Sequence, residues 1–161
     1  MRKLLLSLML AMTLAIGSAA IALASTPTYK DTVVGIETAV PTGPTSTFAG
    51  YASGQLPGLW TASVVHGSLP ISQGGPGAIT GGTFALLSST VVLGSFDSNS
   101  TAITLTSGTC TQTFHVVDNL KLLSPKGTGR FDAYLTHYGY MFNGNCTIFF
   151  ATIHGSVRLT F

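Results

Sequence analysis

The sequence predicts an all-β chain, a single antiparallel barrel of about eight to ten strands preceded by a signal-peptide helix. Three observations carry this. From Thr32 onward, Gly, Pro, Asn and Ser punctuate the chain about every ten residues, and short segments rich in Val, Ile, Thr, Phe and Tyr lie between them. Past the first two dozen residues, no segment holds a 3.6-residue apolar period long enough for a sizeable helix. Glycines recur inside or beside the strand segments, at Gly50, Gly54, Gly58, Gly81, Gly82, Gly94, Gly139 and Gly155. Such positions mark bulges or bends that curve a sheet, and closure removes the edges that a flat sandwich keeps.

The elements follow in order. Arg2 and Lys3 precede an apolar stretch from Leu4 to Ile16, and small residues lead to Ala22-Leu23-Ala24. A basic start, an apolar middle and an Ala-x-Ala close read as a secretory signal peptide over 1–24, cleaved after Ala24. The location expected is therefore secreted, periplasmic or cell-envelope, with no stable membrane span after cleavage. That excludes most nucleotide, NAD and DNA chemistry. Residues 25–31 read as a flexible lead-in and 32–161 as the barrel domain.

Within that domain the first strand is Thr32–Thr38. Pro41, Gly43 and Pro44 break it, and Ser46–Gln55 follows. Leu56-Pro57-Gly58 turns into Leu59–His66, and a Gly/Pro/Ser loop runs from Gly67 to Gly77. Ala78–Leu87, Val91–Phe96, Thr101–Thr106 and Cys110–Leu123 come next. A loop over Ser124–Gly129 leads into Arg130–Met141, Asn143-Gly144 makes a hairpin turn, and Asn145–His154 and Gly155–Phe161 complete the chain. Both alternating sets of Thr147–His154 are apolar, so this strand is expected to be buried on both sides. In the last strand Val157, Leu159 and Phe161 share one face.

Charged residues form only 7% of the chain, against an ordinary ~25%. Beyond the leader, Lys30, Lys121, Lys126, Arg130 and Arg158 balance Asp31, Glu37, Asp97, Asp118 and Asp132. Without clustered cations, no electrostatic capture of nucleic acid or an anionic membrane is expected. The polar surface must come from Thr, Ser, Asn and backbone.

Two cysteines, Cys110 and Cys146, sit in similar settings, Gly-Thr-Cys-Thr and Gly-Asn-Cys-Thr, at apparent strand starts. An even count in an exported chain predicts one disulfide. A redox pair or metal site is the alternative, but there is no C-x-x-C and no further ligand nearby in sequence.

The run Lys126-Gly127-Thr128-Gly129-Arg130-Phe131-Asp132-Ala133-Tyr134 resembles the turn-and-strand of the allene oxide cyclase and dirigent-like barrels. The Gly50/Gly54 spacing and Gly81-Gly82-Thr83-Phe84 are similar to small exported bacterial proteins of that general type. The resemblance implies an eight-stranded antiparallel barrel with an apolar interior. Plant relatives cyclise a fatty-acid epoxide or steer radical coupling of phenols. Their functional carboxylates and Arg have no residue-by-residue counterpart here, so no catalytic role is carried over.

Four histidines, His66, His115, His137 and His154, form no ligand-spaced pattern, so no metal and no cofactor is expected. Alternation sets His115 and Asp118 on opposite faces, and His137 with Leu135 and Gly139 opposite Tyr134, Thr136, Tyr138 and Tyr140. Glu37 is the only Glu, so paired catalytic carboxylates would have to be Asp. Asp118 and Asp132, flanking the 124–129 loop, could approach across a hairpin, or remain solvated partners of Lys121 or Arg130. No G-x-S-x-G is present. Trp60 reads as core. His115, Tyr134, Tyr138 and Tyr140 are the candidate ligand-binding residues, with ordinary cross-strand packing as their alternative.

Function narrows to three classes. The first is an exported binding or structural module for a small apolar or phenolic ligand, since eight strands enclose only side chains or one small guest. The second is a cyclase- or isomerase-type enzyme, which needs polar groups converging in the lumen, His115 with Tyr or Asp neighbours. The third is a cell-envelope adhesion protein using sheet edges and the Tyr face. Oligomeric state is left open.

Overall fold

Period-two alternation runs through the long strands and decides which side chains enter the core. The structure, a computed structural model, describes residues 25–38, 44–70, 74, 76–98 and 102–161. The leader expected over 1–24 lies outside them. The strands are β1 (Thr28–Glu37), β2 (Thr45–Gly54), β3 (Gly58–His66), β4 (Pro76–Gly77), β5 (Ile79–Leu87), β6 (Val91–Phe96), β7 (Ala102–Ser107), β8 (Gln112–Ser124), β9 (Lys126–Phe142) and β10 (Asn145–Thr160).

Eight strands, β1-β2-β3-β5-β6-β8-β9-β10, form a closed antiparallel ring. The closing seam is long: β1 pairs with β10 from Thr28–Thr160 to Ile36–Thr152. β6 and β7 share one edge of β8, β6 along 120–124 and β7 along 113–117. They are two lengths of one stave, and β4, paired to β7, prolongs the β5 stave in the same way. Inward positions are filled by Trp60, Phe84, Leu86, Phe114, Leu120 and Phe131, among others. This apolar lumen contrasts with the polar interior of lipid-embedded barrels.

Several boundaries differ from expectation. β1 begins at Thr28, so part of the 25–31 lead-in is strand, held by pairing to the far end of β10. The Ser124–Gly129 loop shrinks to Pro125 alone, because Gly127 and Gly129 pair with Leu122 and Leu120. Composition marked these glycines as loop; the sheet uses them as strand. The two last predicted strands are one, since Gly155 pairs with both Val33 and Ala133.

The segment expected to be buried on both sides is instead exposed in its first half, with Phe149 and Phe150 facing solvent. The cause is topological. β8 pairs with β9 only as far as His137, and β1 with β10 only from Thr152. Beyond those points, among the described residues, β9 and β10 pair only with each other, and their hairpin projects past the ring. A bulge between Ile148 and Phe150 lies in this projecting part. The Cys110–Cys146 disulfide ties it to the turn before β8, where Cys110 sits ahead of the strand rather than on it. The Asn143-Gly144 turn forms as expected, with φ of 49° and 77°.

Candidate functional site

The lumen is not filled to both ends. Where β2 and β5 begin and β3 ends, an apolar cavity of about 40 Å³ remains, walled by Phe48, Trp60, Ala62, Phe131 and Leu135. Leu69, just past β3, packs on the core and lines this end. A water needs roughly 10–15 Å³ by this measure, whereas a cavity that takes benzene has about 150 Å³. The space therefore suits a few waters or a short apolar group, and a larger guest requires part of the wall to move.

Three polar side chains, Ser46, His66 and His137, line the same cavity. Alternation places each of them. Ser46 shares an inward set with Phe48 and Ala52 on β2, and His137 shares one with Phe131, Ala133 and Leu135 on β9. Ser46 Oγ lies 3.3 Å from His66 Nε2, and His66 Nδ1 lies 2.8 Å from the Gly67 carbonyl oxygen. A carbonyl can only accept, so Nδ1 carries a proton and donates it to Gly67.

His137 meets Glu37. One step past the Ile36–Thr152 pair, Glu37 comes level with Ala151, which itself pairs with His137. The small Ala151 lets the two longer side chains approach across β10. His137 Nε2 lies 3.4 Å from Glu37 Oε2, and the side chains are 7% and 5% exposed. Their contact lacks hydrogen-bond geometry, and Glu37 Oε1 and His137 Nε2 are buried without a hydrogen-bond partner. Phe114 packs edge-on against the His137 ring, at 5.4 Å between centroids. Unsatisfied buried polar atoms are uncommon and point to a water, a ligand or a chemical role.

The four candidate ligand residues lie elsewhere, on the outer face of β8–β10. His115 does not enter the lumen, because the inward set of β8 is Phe114, Val116, Asp118, Leu120 and Leu122. It hydrogen-bonds Asp132 at 2.8 Å and stacks on Tyr134 at 4.7 Å, and Tyr134 stacks on His154 at 5.7 Å. Arg130 approaches Asp132 at 4.0 Å. With 34% and 41% exposure, the His115–Asp132 pair contributes at most about 1 kcal/mol. Tyr138 stacks on Phe150 at 5.8 Å, and Tyr140 meets Phe149 at 6.0 Å. The row expected on one face is therefore real, but it is a flat exposed strip.

Asp118 and Asp132 are not brought together. Asp118 faces Phe131 across the ladder and is fully buried, whereas Asp132, one residue on, points outward. Among the described residues, no group of three or more His, Cys, Asp or Glu converges as a metal site. Sequence reasoning placed none of Ser46, His66, His137 and Glu37 among the site residues. The available signal was their parity, since each shares a set with apolar residues two positions away.

No protein-family model, curated protein or solved structure matches the chain.

Proposed function

We propose that this chain is an exported barrel that binds a small apolar or phenolic guest at the open end of its lumen, beneath Leu69. The carrying observation is the apolar cavity left in an otherwise well-filled interior, with polar side chains gathered on its wall. The signal-peptide pattern of residues 1–24, the shortage of charge and the intramolecular disulfide all support export. The closed eight-stranded ring with its apolar lumen is of the size that encloses side chains and one small guest. Should the guest also react there, the groups to carry it are Glu37, His137, Ser46 and His66, not His115.

Ala62→Val tests the reading. Two added methyl groups fill much of the void, and a β-branched residue suits a strand. Stability is expected to change by less than about 1 kcal/mol, while binding of a small apolar probe, followed by NMR titration, falls at least about tenfold. Unchanged probe binding in a folded Ala62→Val variant rules out the lumen as the site.

A second reading, adhesion, is favoured by one observation: on the projecting hairpin Tyr138 stacks on Phe150 and Tyr140 meets Phe149 at a tilt, and all four rings are exposed. A Tyr138→Ser/Phe150→Ser variant is expected to weaken attachment to a surface severalfold and leave the lumen probe unaffected. Equal attachment by both proteins excludes this role.

A further inference from the structure

We infer that the outer wall over β1, β2, β3, β5 and β6 is a self-association surface, and that a second copy of this chain covers it. The inference stands apart from lumen binding and does not depend on it.

Charge is spread unevenly around the barrel. No Asp, Glu, Lys or Arg stands between Glu37 and Asp97, the stretch that supplies β2, β3, β5 and β6. Lys121, Lys126, Arg130, Asp132 and Arg158 stand instead on β8, β9 and β10. One side of the wall is therefore neutral.

Register gathers the outward apolar residues on that side. Val34, Tyr51, Leu59, Leu87 and Val91 are successive cross-strand partners on five adjacent strands. Two residues along each strand, Ile36, Ala49, Thr61, Ala85 and Leu93 form a second row in the same way. A third row, Thr47, Ser63, Thr83 and Ser95, carries only hydroxyls, and Thr32 and Ser53 border the first row on its other side. An apolar centre with a polar border is how protein interfaces are built.

Size points to a macromolecular cover. The seven large apolar side chains of the first two rows are 42–61% exposed. Together they leave roughly 600 Å² of apolar surface in water, at the upper end for the largest patch on a monomer and most of the ~800 Å² that each partner gives to a standard interface. Strands of an eight-stranded barrel tilt by ~35–45°, so a row across them climbs the wall through about a quarter-turn, and one partner reaches it from end to end.

A second copy brings the same neutral band. The contact then buries no unpaired charge and sets no like charges together, and it can close on itself as a two-fold pair. An anionic membrane is matched less well, because the band carries no cations. The band lies beside the β2–β3 and β5–β6 turns, at the end of the barrel away from the cavity, so pairing leaves the lumen mouth free.

Sedimentation equilibrium of the purified protein tests this. At about 50 μM the parent is expected to be a dimer. Leu59→Lys, on the middle strand of the band, is expected to be a monomer, its association weakened at least about hundredfold by an ammonium buried without a partner. Leu59 is exposed, so the fold should tolerate the change, and emission from the lone, buried Trp60 checks that it does. Leu87→Lys, on the neighbouring strand, covers the case in which Leu59→Lys does not fold. Thr128→Lys puts the same charge on the exposed wall of β9 and should leave the dimer intact.

A parent still monomeric at about 1 mM overturns the proposal. So does a dimer that survives both Leu59→Lys and Leu87→Lys, or one that Thr128→Lys disrupts equally. A monomer that binds neutral phosphatidylcholine vesicles, and releases them on Leu59→Lys, overturns it by showing that lipid covers the band. Binding of the lumen probe should be equal in parent and Leu59→Lys, so failure of the guest site and failure of the dimer are read separately.

Discussion

Gly50→Ala is expected to destabilise the barrel by about 3 kcal/mol or more, a large share of what a domain of this size possesses. Gly50 and Gly35 face each other across β1 and β2 on the inward side, and Trp60 on β3 is paired to Gly50. The indole is 1% exposed and donates Nε1–H to the Val34 carbonyl at 3.1 Å. A Cβ on Gly50 would stand 2.0 Å from the Val34 oxygen and 2.6 Å from Gly35 Cα. Those partners are backbone atoms of the neighbouring strand, so relief requires moving β1 and with it the closing seam to β10. The glycine pair lets the two strands lie this close under the indole.

Two controls separate this from a loss of Trp packing. Gly67→Ala, whose added Cβ would have its nearest neighbour at 4.0 Å, should change stability by less than about 0.5 kcal/mol. Adding Trp60→Ala to Gly50→Ala should give no rescue, because removing the ring, whose Nε1 would stand 2.8 Å from the added Cβ, leaves the closer Val34 oxygen and Gly35 Cα in place. Urea midpoints of the variants measure all of this. A Gly50→Ala protein as stable as the parent removes the close-approach account.

Cys110→Ser/Cys146→Ser is expected to cost about 3–4 kcal/mol on the chain-entropy model, from the 36-residue separation that the bridge closes. The loss should be uneven. Among the described residues, no third strand pairs with the β9–β10 hairpin from Tyr138 to Phe150, and a two-stranded hairpin is marginal by itself in water. The disulfide anchors that hairpin to the turn before β8. Amide exchange in 138–150 is therefore expected to accelerate well before the ring strands lose protection. Uniform acceleration through all strands would show instead that the bridge supports the barrel as a whole.

Much of this architecture is legible in the chain. The Asn143-Gly144 turn, the core position of Trp60, the pairing of the cysteines and the common face of Tyr134, Tyr138 and Tyr140 all follow from local chemistry. Each depends on residues a few positions apart, or on an even thiol count. The reading of Ser124–Gly129 as a loop failed because glycine has two uses. It permits turns, and it also permits strands to lie closely packed, and composition alone does not separate them. The splitting of β10 at Gly155 failed for the same reason.

The site was the least legible part. His115 and His137 both sit on alternating strands, with parities that read correctly from sequence. Nothing local says which parity becomes the inside. That is settled when all eight strands close and the more apolar set on each is buried together. Glu37 and His137 come from opposite ends of the chain and meet only because β1 pairs with β10.

By itself, then, the sequence determined the strands, their two faces and the bridge, since period-two alternation and turn chemistry act over neighbouring residues. Only the tertiary structure decided which face is lumen, how far the last hairpin projects and which polar groups share a cavity, because ring closure is a contact between residues that the chain holds far apart.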